Sequence, residues 1–365
     1  MNIKKIVLHR KNIGILLGLL TIGLGRLMPE TVVEQCYSRG LFVGVRWLFT
    51  GLNSWLPFAS VYLLFGGVLG WLGWRLRILS QKKETTWGQR FGRSLHSLLA
   101  FAGVVLFLFQ WLWGFNYGRV PLERQMGFVP APLTMQDLRT ELDAATALAT
   151  AARQSLPEGL DTVIAPQKMD FDESETMMRV ALNTVLREQG YPLPGKVRGR
   201  TLWPKGLLLR ISTAGVYIPF TGEGNVDAGL HHFQRPFVLA HEMGHAYGFG
   251  DEGTCNFLAY LACIQSDDPY IRYIGHLYYW RYVAAQYLAF DPEGYRPIKE
   301  ALHPGLRADV RAINREMDKY PDILPELRDA AYNTYLQSQG IAEGIKNYDR
   351  VVMLVAAWRK KHEVQ

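Results

Sequence analysis

The chain has 365 residues, 48% of them hydrophobic and 12% aromatic against 20% charged, which excludes a disordered or fibrous protein and leaves ample material for a buried core. Its formal charge of +7 is unevenly spread: residues 1–117 hold 13 Lys and Arg against 3 Asp and Glu, and the remaining 248 hold 27 against 30. The positive excess therefore sits between apolar runs of the first third rather than on a basic domain, and nucleic acid is excluded as a partner.

In chain order, the first apolar run is Asn12 to Gly25. It reads as an uncleaved span over about residues 12–28 if Leu27 and Met28 extend it while Arg26 snorkels. A cleaved signal peptide competes, but Gly23-Leu24-Gly25 is a poor cleavage site. Residues 29–54 offset Glu30 and Glu34 with Arg26, Arg39 and Arg46 and contain LFVGVRWLFTGL, a segment suited to lying in the membrane interface. Two further spans are expected over about 55–75 and 95–116, each apolar and long enough for a hydrocarbon core of roughly 30 Å. Lys4, Lys5, Arg10 and Lys11 before the first span, and Arg75, Arg77, Lys82, Lys83, Arg90 and Arg93 after the second, belong on the cytoplasmic side. The expected organisation is thus a multi-pass anchor over 1–117 in a cytoplasmic membrane, its lipid bilayer the first partner, followed by an extracytoplasmic domain over 118–365.

In that second part, Thr134 and Asp137 open a helix running to about Gln154, and another runs from about Ser174 to Gln189 with Gly190 as its stop. Val197–Trp203 and Leu207–Phe220 alternate and are rich in β-branched and aromatic residues, which predicts two strands. TGEGN after them reads equally well as a turn. From Phe237 the pattern is helical almost to the end, punctuated by Pro269, Pro292, Pro304 and Pro321. Cys36, Cys255 and Cys263 are too few and too scattered for a disulfide scaffold, and all three are expected to be buried and without a functional role.

The informative segment is FVLAHEMGHAYGFGDEGTCNFLAYLAC, residues 237–263. His241 and His245, four apart, project from one face of a helix and can grip one Zn²⁺, with Glu242 beside them to act on a water molecule. Pro236 stands where the helix can begin, and Gly244 and Gly248 permit a close approach and a sharp exit. A catalytic zinc site needs a third protein ligand and an open position. Asp251 lies where metzincins place theirs, after a glycine turn. Glu252 instead starts the next helix with Asn256 on the same face, the gluzincin arrangement in which the second residue hydrogen-bonds a ligand histidine, and it is the preferred ligand. His231, His232, His276 and His303 are expected to be surface or internally satisfied histidines, His276 in the core.

Together, the apolar N-terminal runs, WGFNYGR at the end of the last, YIPFTGEGNVD, HEMGHAYGF, NFLAYLAC, SDDPYIRY and GIKNYDRVV resemble the bacterial family known as domain of unknown function 3810. The resemblance covers most of the chain. It implies an α+β protein, with three N-terminal transmembrane helices followed by a mostly helical, zincin-like metallopeptidase domain containing a small β-sheet. That family usually has a second acidic residue and then Ala-Asn after the glutamate. Thr254 and Cys255 stand here instead, leaving Glu252 as the carboxylate at the ligand position. By the same resemblance, Gly215 to Phe220 forms the cleft edge that pairs with an extended substrate, with Tyr217, Pro219, Phe220, Thr221 and Asn225 as substrate-binding residues. Tyr348, with Arg350 nearby, is the candidate for stabilising the oxyanion.

The expected function is that of a membrane-anchored, zinc-dependent metallopeptidase that hydrolyses peptide bonds of a peptide or protein substrate in the cell envelope. The alternative is a non-catalytic membrane-anchored sensor or assembly factor that binds peptides, which Glu242 argues against, since a structural metal needs no base. Intramembrane proteolysis is excluded by Gln234, Arg235, Asp251 and Glu252 flanking the metal helix.

Overall fold

The computed structural model describes residues 10–81, 86–156, 162–167, 169–323, 325–342, 347 and 350–363. The chain is mostly helical with one three-stranded sheet, an α+β architecture. It divides into two compact units. Unit 1 comprises residues 1–119 and Ile218–Gly222; unit 2 comprises Val120–Tyr217 and Glu223–Gln365.

Unit 1 is built from α1 (Arg10–Leu27), α2 (Phe42–Asn53), α3 (Val61–Gln81) and α4 (Trp87–Leu112). A nine-residue π-helix, Val33–Leu41, leads into α2. Helices α1 and α4 cross with backbones in contact: a Cβ added to Gly103 would lie 2.3 Å from the Gly14 carbonyl oxygen. Such small-residue crossings suit helices packed in lipid, where burial of apolar surface supplies little driving force. The π-helix carries a buried ionic cluster, in which Glu34 accepts hydrogen bonds from Arg39 at 2.8 Å and from Arg119 at 2.9 and 3.0 Å. Cys36, on the opposite face of that helix, is exposed rather than buried. Residues 218–222 are held here too, with Asn53 Nδ2 donating to the Thr221 carbonyl at 2.7 Å.

Three separate spans are more than the described residues supply. One segment, Phe91–Leu112 within α4, is long and apolar enough to cross a membrane. The pair Asn12–Leu27 and Glu30–Asn53, bent by 108°, makes a second if it is one broken span. The expected span over 55–75 falls short because its helix begins only at Val61 and meets Arg75 and Arg77. Its uncharged helical part, Val61–Trp74, covers about 21 Å at 1.5 Å per residue.

Unit 2 begins with α5 (Met135–Gln154) and α6 (Phe171–Glu188), each opened by a reciprocal capping box, Thr134 with Asp137 and Asp170 with Glu173. The sheet has the order β1 (Arg198–Leu202), β3 (Glu223–Asp227), β2 (Gly215–Ile218), with β1 and β3 parallel and Arg198 opposite Glu223. Two expectations fail here. Leu207–Phe220 is not one strand: Leu209–Ile211 is a 3₁₀ turn, and extended pairing is confined to Gly215–Ile218. TGEGN is not merely a turn, because Glu223–Asp227 is the central strand and buried throughout. Its polar residues have partners that sequence alone does not display. Glu223 binds Arg200 at 3.0 Å, Asn225 Nδ2 donates to the Glu223 carbonyl at 3.0 Å, and Asp227 accepts from the backbone N–H groups of Gly206, Leu208 and Gly229.

Among the described residues, seven helices follow: α7 (Arg235–Ala246), α8 (Glu252–Ile264), α9 (Pro269–Phe290), α10 (Pro292–Ala301), α11 (Pro304–Met317), α12 (Pro325–Ser338) and α13 (Arg350–Glu363). Prolines 269, 292 and 304 each stand in the first turn of a helix, where the missing N–H costs nothing. The core runs through α5, α6, α8 and α9, with Leu142, Met178, Leu182, Leu258, Tyr273 and Val283 inaccessible to solvent. Across it, Asp309 accepts from Arg153 Nε at 2.8 Å, Tyr273 Oη at 2.7 Å and the Ile164 N–H at 3.1 Å. Removing one partner of such a buried pair leaves an uncompensated charge, at a cost of about 3–5 kcal/mol. Asp309→Ala is therefore expected to lower stability by that amount in thermal or denaturant unfolding, whereas Asp143→Ala, in the exposed pair with Arg139, should cost less than about 1 kcal/mol.

Candidate metal centre

Helix α7 carries His241, Glu242 and His245, and α8 begins at Glu252 after a connection of five residues, 247–251. The reversal is made possible by Gly248, whose φ of 92° lies in the left-handed region that favours glycine. Asp251 then caps α8, its carboxylate accepting the Thr254 N–H at 2.7 Å. The same carboxylate is bound by Asn347 Nδ2 at 2.9 Å and Arg350 at 3.1 Å. This arrangement leaves Asp251 engaged with the helix start and turns Glu252 inward.

Three atoms converge there. His241 Nε2 and His245 Nε2 are 3.1 Å apart, and Glu252 Oε2 is 3.1 Å from the first and 3.2 Å from the second. The other ring nitrogens are committed: His241 Nδ1 to Asn256 Oδ1 and His245 Nδ1 to the Phe249 carbonyl, each at 2.8 Å. Because both partners are acceptors, the Nδ1 atoms carry the protons and the Nε2 atoms present lone pairs. Two lone pairs and a carboxylate oxygen facing one point repel unless a proton or cation lies among them. Four-coordinate zinc, with bonds of about 2.0–2.1 Å, sets its ligand atoms roughly 3.3–3.4 Å apart, close to these separations. The group is the cluster among the described residues with the composition and spacing to hold a metal ion.

Electrostatics agree with this geometry. Burial acts to raise the Glu252 carboxyl, but positive charge at His245 and His241, which a proton on the imidazoles supplies where no cation lies between them, holds it well below the usual range. Glu242 is pushed up to about 7, chiefly by burial, against the opposing pull of the two histidines. Its Oε2 is buried without a hydrogen-bond partner. The sheet lies against it so closely that a Cβ on Gly224 would meet Glu242 Cβ at 2.7 Å, and one on Gly215 would meet Glu242 Oε1 at 2.6 Å. The backbone of Tyr217 hydrogen-bonds the Glu242 carboxylate.

Of the other expected site residues, Asn256 stands against His241, and Tyr217 and Asn225 lie on β2 and β3, Asn225 fully buried. Pro219, Phe220 and Thr221 fall in the segment that belongs to unit 1. Tyr348 lies outside the described residues, although its neighbours Asn347 and Arg350 reach Asp251, and Asn347 Oδ1 also accepts the Gly253 N–H at 3.0 Å. Two tyrosines are additions to the sequence reading. Tyr332 Oη donates to Glu252 Oε1 at 2.7 Å, and Tyr282 Oη to Asn256 Oδ1 at 3.1 Å. No local spacing links residue 332 to residue 252. Tyr282, on α9, could have been found only by knowing which helix packs on α8.

Fold and site together define an α+β chain in which apolar N-terminal helices precede a helical unit with a buried His-His-Glu cluster on and beside an H-E-x-x-H helix. The chain belongs to the family described as Protein of unknown function (DUF3810), whose model matches residues 37–356. No curated protein and no solved structure matches it.

His231, His232 and His276 are not part of the cluster. His231 lies against His232 with ring centroids 4.1 Å apart and planes tilted at 33°. His276, expected in the core, is half-buried with its ring edge-on to Tyr260. Burial, with Arg272 adding to it, pushes His276 down to about 4. The unfolded chain therefore takes up a proton near pH 6.5 that the folded chain refuses until about pH 4, so the stability present above pH 6.5 is lost as pH falls toward 4. His276→Gln should flatten the stability-versus-pH curve over that window, by up to about 1.4 kcal/mol per pH unit, measured by denaturant unfolding of both proteins.

Proposed function

We propose that this chain is a membrane-anchored, zinc-dependent metallopeptidase whose helical unit works outside the cytoplasmic membrane on peptide bonds of the cell envelope. The observation that carries the reading is the convergence of His241 Nε2, His245 Nε2 and Glu252 Oε2 beside Glu242, a buried carboxylate with an unpartnered oxygen. A purely structural metal would need the three ligands but not Glu242.

His241, His245 and Glu252 hold the ion, which when bound supplies Lewis acidity, making water acidic near neutral pH and polarising a carbonyl. Glu242 accepts a proton from the attacking water as the new C–O bond forms. It then delivers that proton to the departing nitrogen as the C–N bond breaks, so that carboxyl and amine products leave with Glu242 ionised again. Asn256 and the Phe249 carbonyl keep both imidazoles in the tautomer that offers Nε2. Strand β2, at the edge of the sheet, is suited to pair with an extended peptide beside Glu242.

The site separates into ligands and base by substitution. His241→Ala, His245→Ala and Glu252→Ala are each expected to abolish stoichiometric zinc in elemental analysis. Asp251→Ala should keep the zinc, at a stability cost of about 1 kcal/mol for the cap and more for the lost contacts with Asn347 and Arg350. Glu242→Gln should retain metal and fold while peptide turnover drops by about 10²- to 10⁴-fold. Wild-type and Glu242→Gln proteins behaving alike across a broad peptide library, with metal in both, would replace the peptidase by the non-catalytic sensor or assembly factor.

The placement outside the membrane rests on the Lys and Arg flanking the apolar helices. A reporter fused after Gln365 should be extracytoplasmic and one inserted near Lys83 cytoplasmic; the inverse pattern would point to a cytoplasmic protease.

A further inference from the structure

We propose that Tyr332 is a positioning residue for the metal centre, holding Glu252 so that it binds the ion through one oxygen only. The inference rests on the zinc reading of the site. Glu252 divides its two oxygens between two tasks. Oε2 faces His241 Nε2 and His245 Nε2 at 3.1 and 3.2 Å, and Oε1 accepts the Tyr332 hydroxyl at 2.7 Å.

That division matters because a carboxylate can grip a cation with one oxygen or with both. Bound through both, it would add a second oxygen to the coordination shell and crowd the position that a water or a substrate carbonyl must occupy. A hydroxyl donating to Oε1 engages that oxygen in a charge-assisted hydrogen bond, of the stronger class. It also fixes the carboxylate plane, which the two imidazoles alone do not determine. Each ligand then has an outer hydrogen-bond partner: Asn256 for His241, the Phe249 carbonyl for His245 and Tyr332 for Glu252. Tyr332 comes from α12, while both ligand-bearing helices lie earlier in the chain. Its ring stacks on Tyr335, one turn along, with centroids 6.1 Å apart and planes at 21°, so the hydroxyl is presented by a paired aromatic surface.

The test uses the full-length protein in detergent, with Zn²⁺ and Co²⁺ as probes. Tyr332→Phe keeps the ring and its stack, so the variant should still unfold cooperatively without metal, its melting temperature lowered only by the one charge-assisted hydrogen bond it loses. Its Zn²⁺ dissociation constant is expected to rise about 10- to 100-fold, the usual consequence of losing a ligand's outer hydrogen bond. With Co²⁺, release of Oε1 should raise the coordination number, read as weaker visible absorption than the four-coordinate wild type gives. Tyr335→Phe, which leaves the hydroxyl on Glu252 intact, should change neither reading. Tyr332→His, which retains a ring N–H donor, should bind Zn²⁺ more tightly than the Phe variant. Tyr332→Phe binding Zn²⁺ like the wild type with an unchanged Co²⁺ spectrum would overturn the role of Tyr332 and leave the zinc site standing. Equal weakening in the Phe and His variants would overturn the hydrogen-bond basis of that role. A wild type that binds neither metal would remove the zinc reading and this inference with it.

Discussion

A carboxylate buried to the depth of Glu252 cannot remain ionised unless positive charge or several donors face it. Much of unit 2 is arranged around that requirement. Glu252 is only 4% exposed, yet it is held in its charged form by positive charge shared with the two imidazoles of α7 at one of its oxygens and by a hydroxyl from α12 at the other. The geometry is exacting. Residues 247–251 must reverse the chain in a single short connection, Gly248 must adopt a left-handed backbone, and Asp251 must take the cap so that the next carboxylate points inward. Cys255 packs against Gly244 one turn further on, which sets the distance between the two helices.

Around these helices the core supplies rigidity rather than chemistry. Helix α8 is buried along nearly its whole length, with Leu258, Ala259, Ala262 and Cys263 inaccessible to solvent, so the ligand at its N-terminus is held by a helix with little room to move. Burial pushes the Cys263 thiol up, and Cys255 to about 11; Cys263 is apolar filling, while Cys255 Sγ lies 3.4 Å from both His245 Nδ1 and the Phe249 carbonyl. The sheet acts as a wall on the other side. Its glycines let β2 and β3 touch Glu242, and a side chain at either position would displace the carboxylate.

Sequence made the histidine helix legible because its signals are local: a proline at the start, an i, i+4 pair and a glycine exit. Asp251 and Glu252 were both open as ligands because each lies within reach of the motif, and the choice between them turns on which one caps α8, a question of backbone direction at one residue. The central strand was hidden for a different reason. Glu223, Asn225 and Asp227 have poor strand propensity in isolation, and they are tolerated only because Arg200, a neighbouring carbonyl and three N–H groups meet them inside the fold. Tyr332 was invisible for the plainest reason: it acts on a residue 80 positions away, and only tertiary packing joins them.

Unit 1 follows a different logic, in which apolar side chains stay exposed and polar ones are drawn inside. Leu98, Leu99 and Phe101 on α4 face outward, while Glu34, Arg46, Asn53 and Asn116 are buried. That inversion suits a unit surrounded by hydrocarbon, since charged groups there must satisfy one another rather than water. The 108° bend between the first helix and the Glu30–Asn53 segment carries the chain away from the direction of α1. The exposed Trp47 and Trp55 on and after α2 are residues that prefer the headgroup level, where an apolar ring and a polar N–H are both accommodated. The bend falls at residues 28–29, and the π-helix that follows it carries the buried Glu34, whose charge Arg39 and Arg119 neutralise, so the chain turns first and satisfies its buried charge within the next few residues.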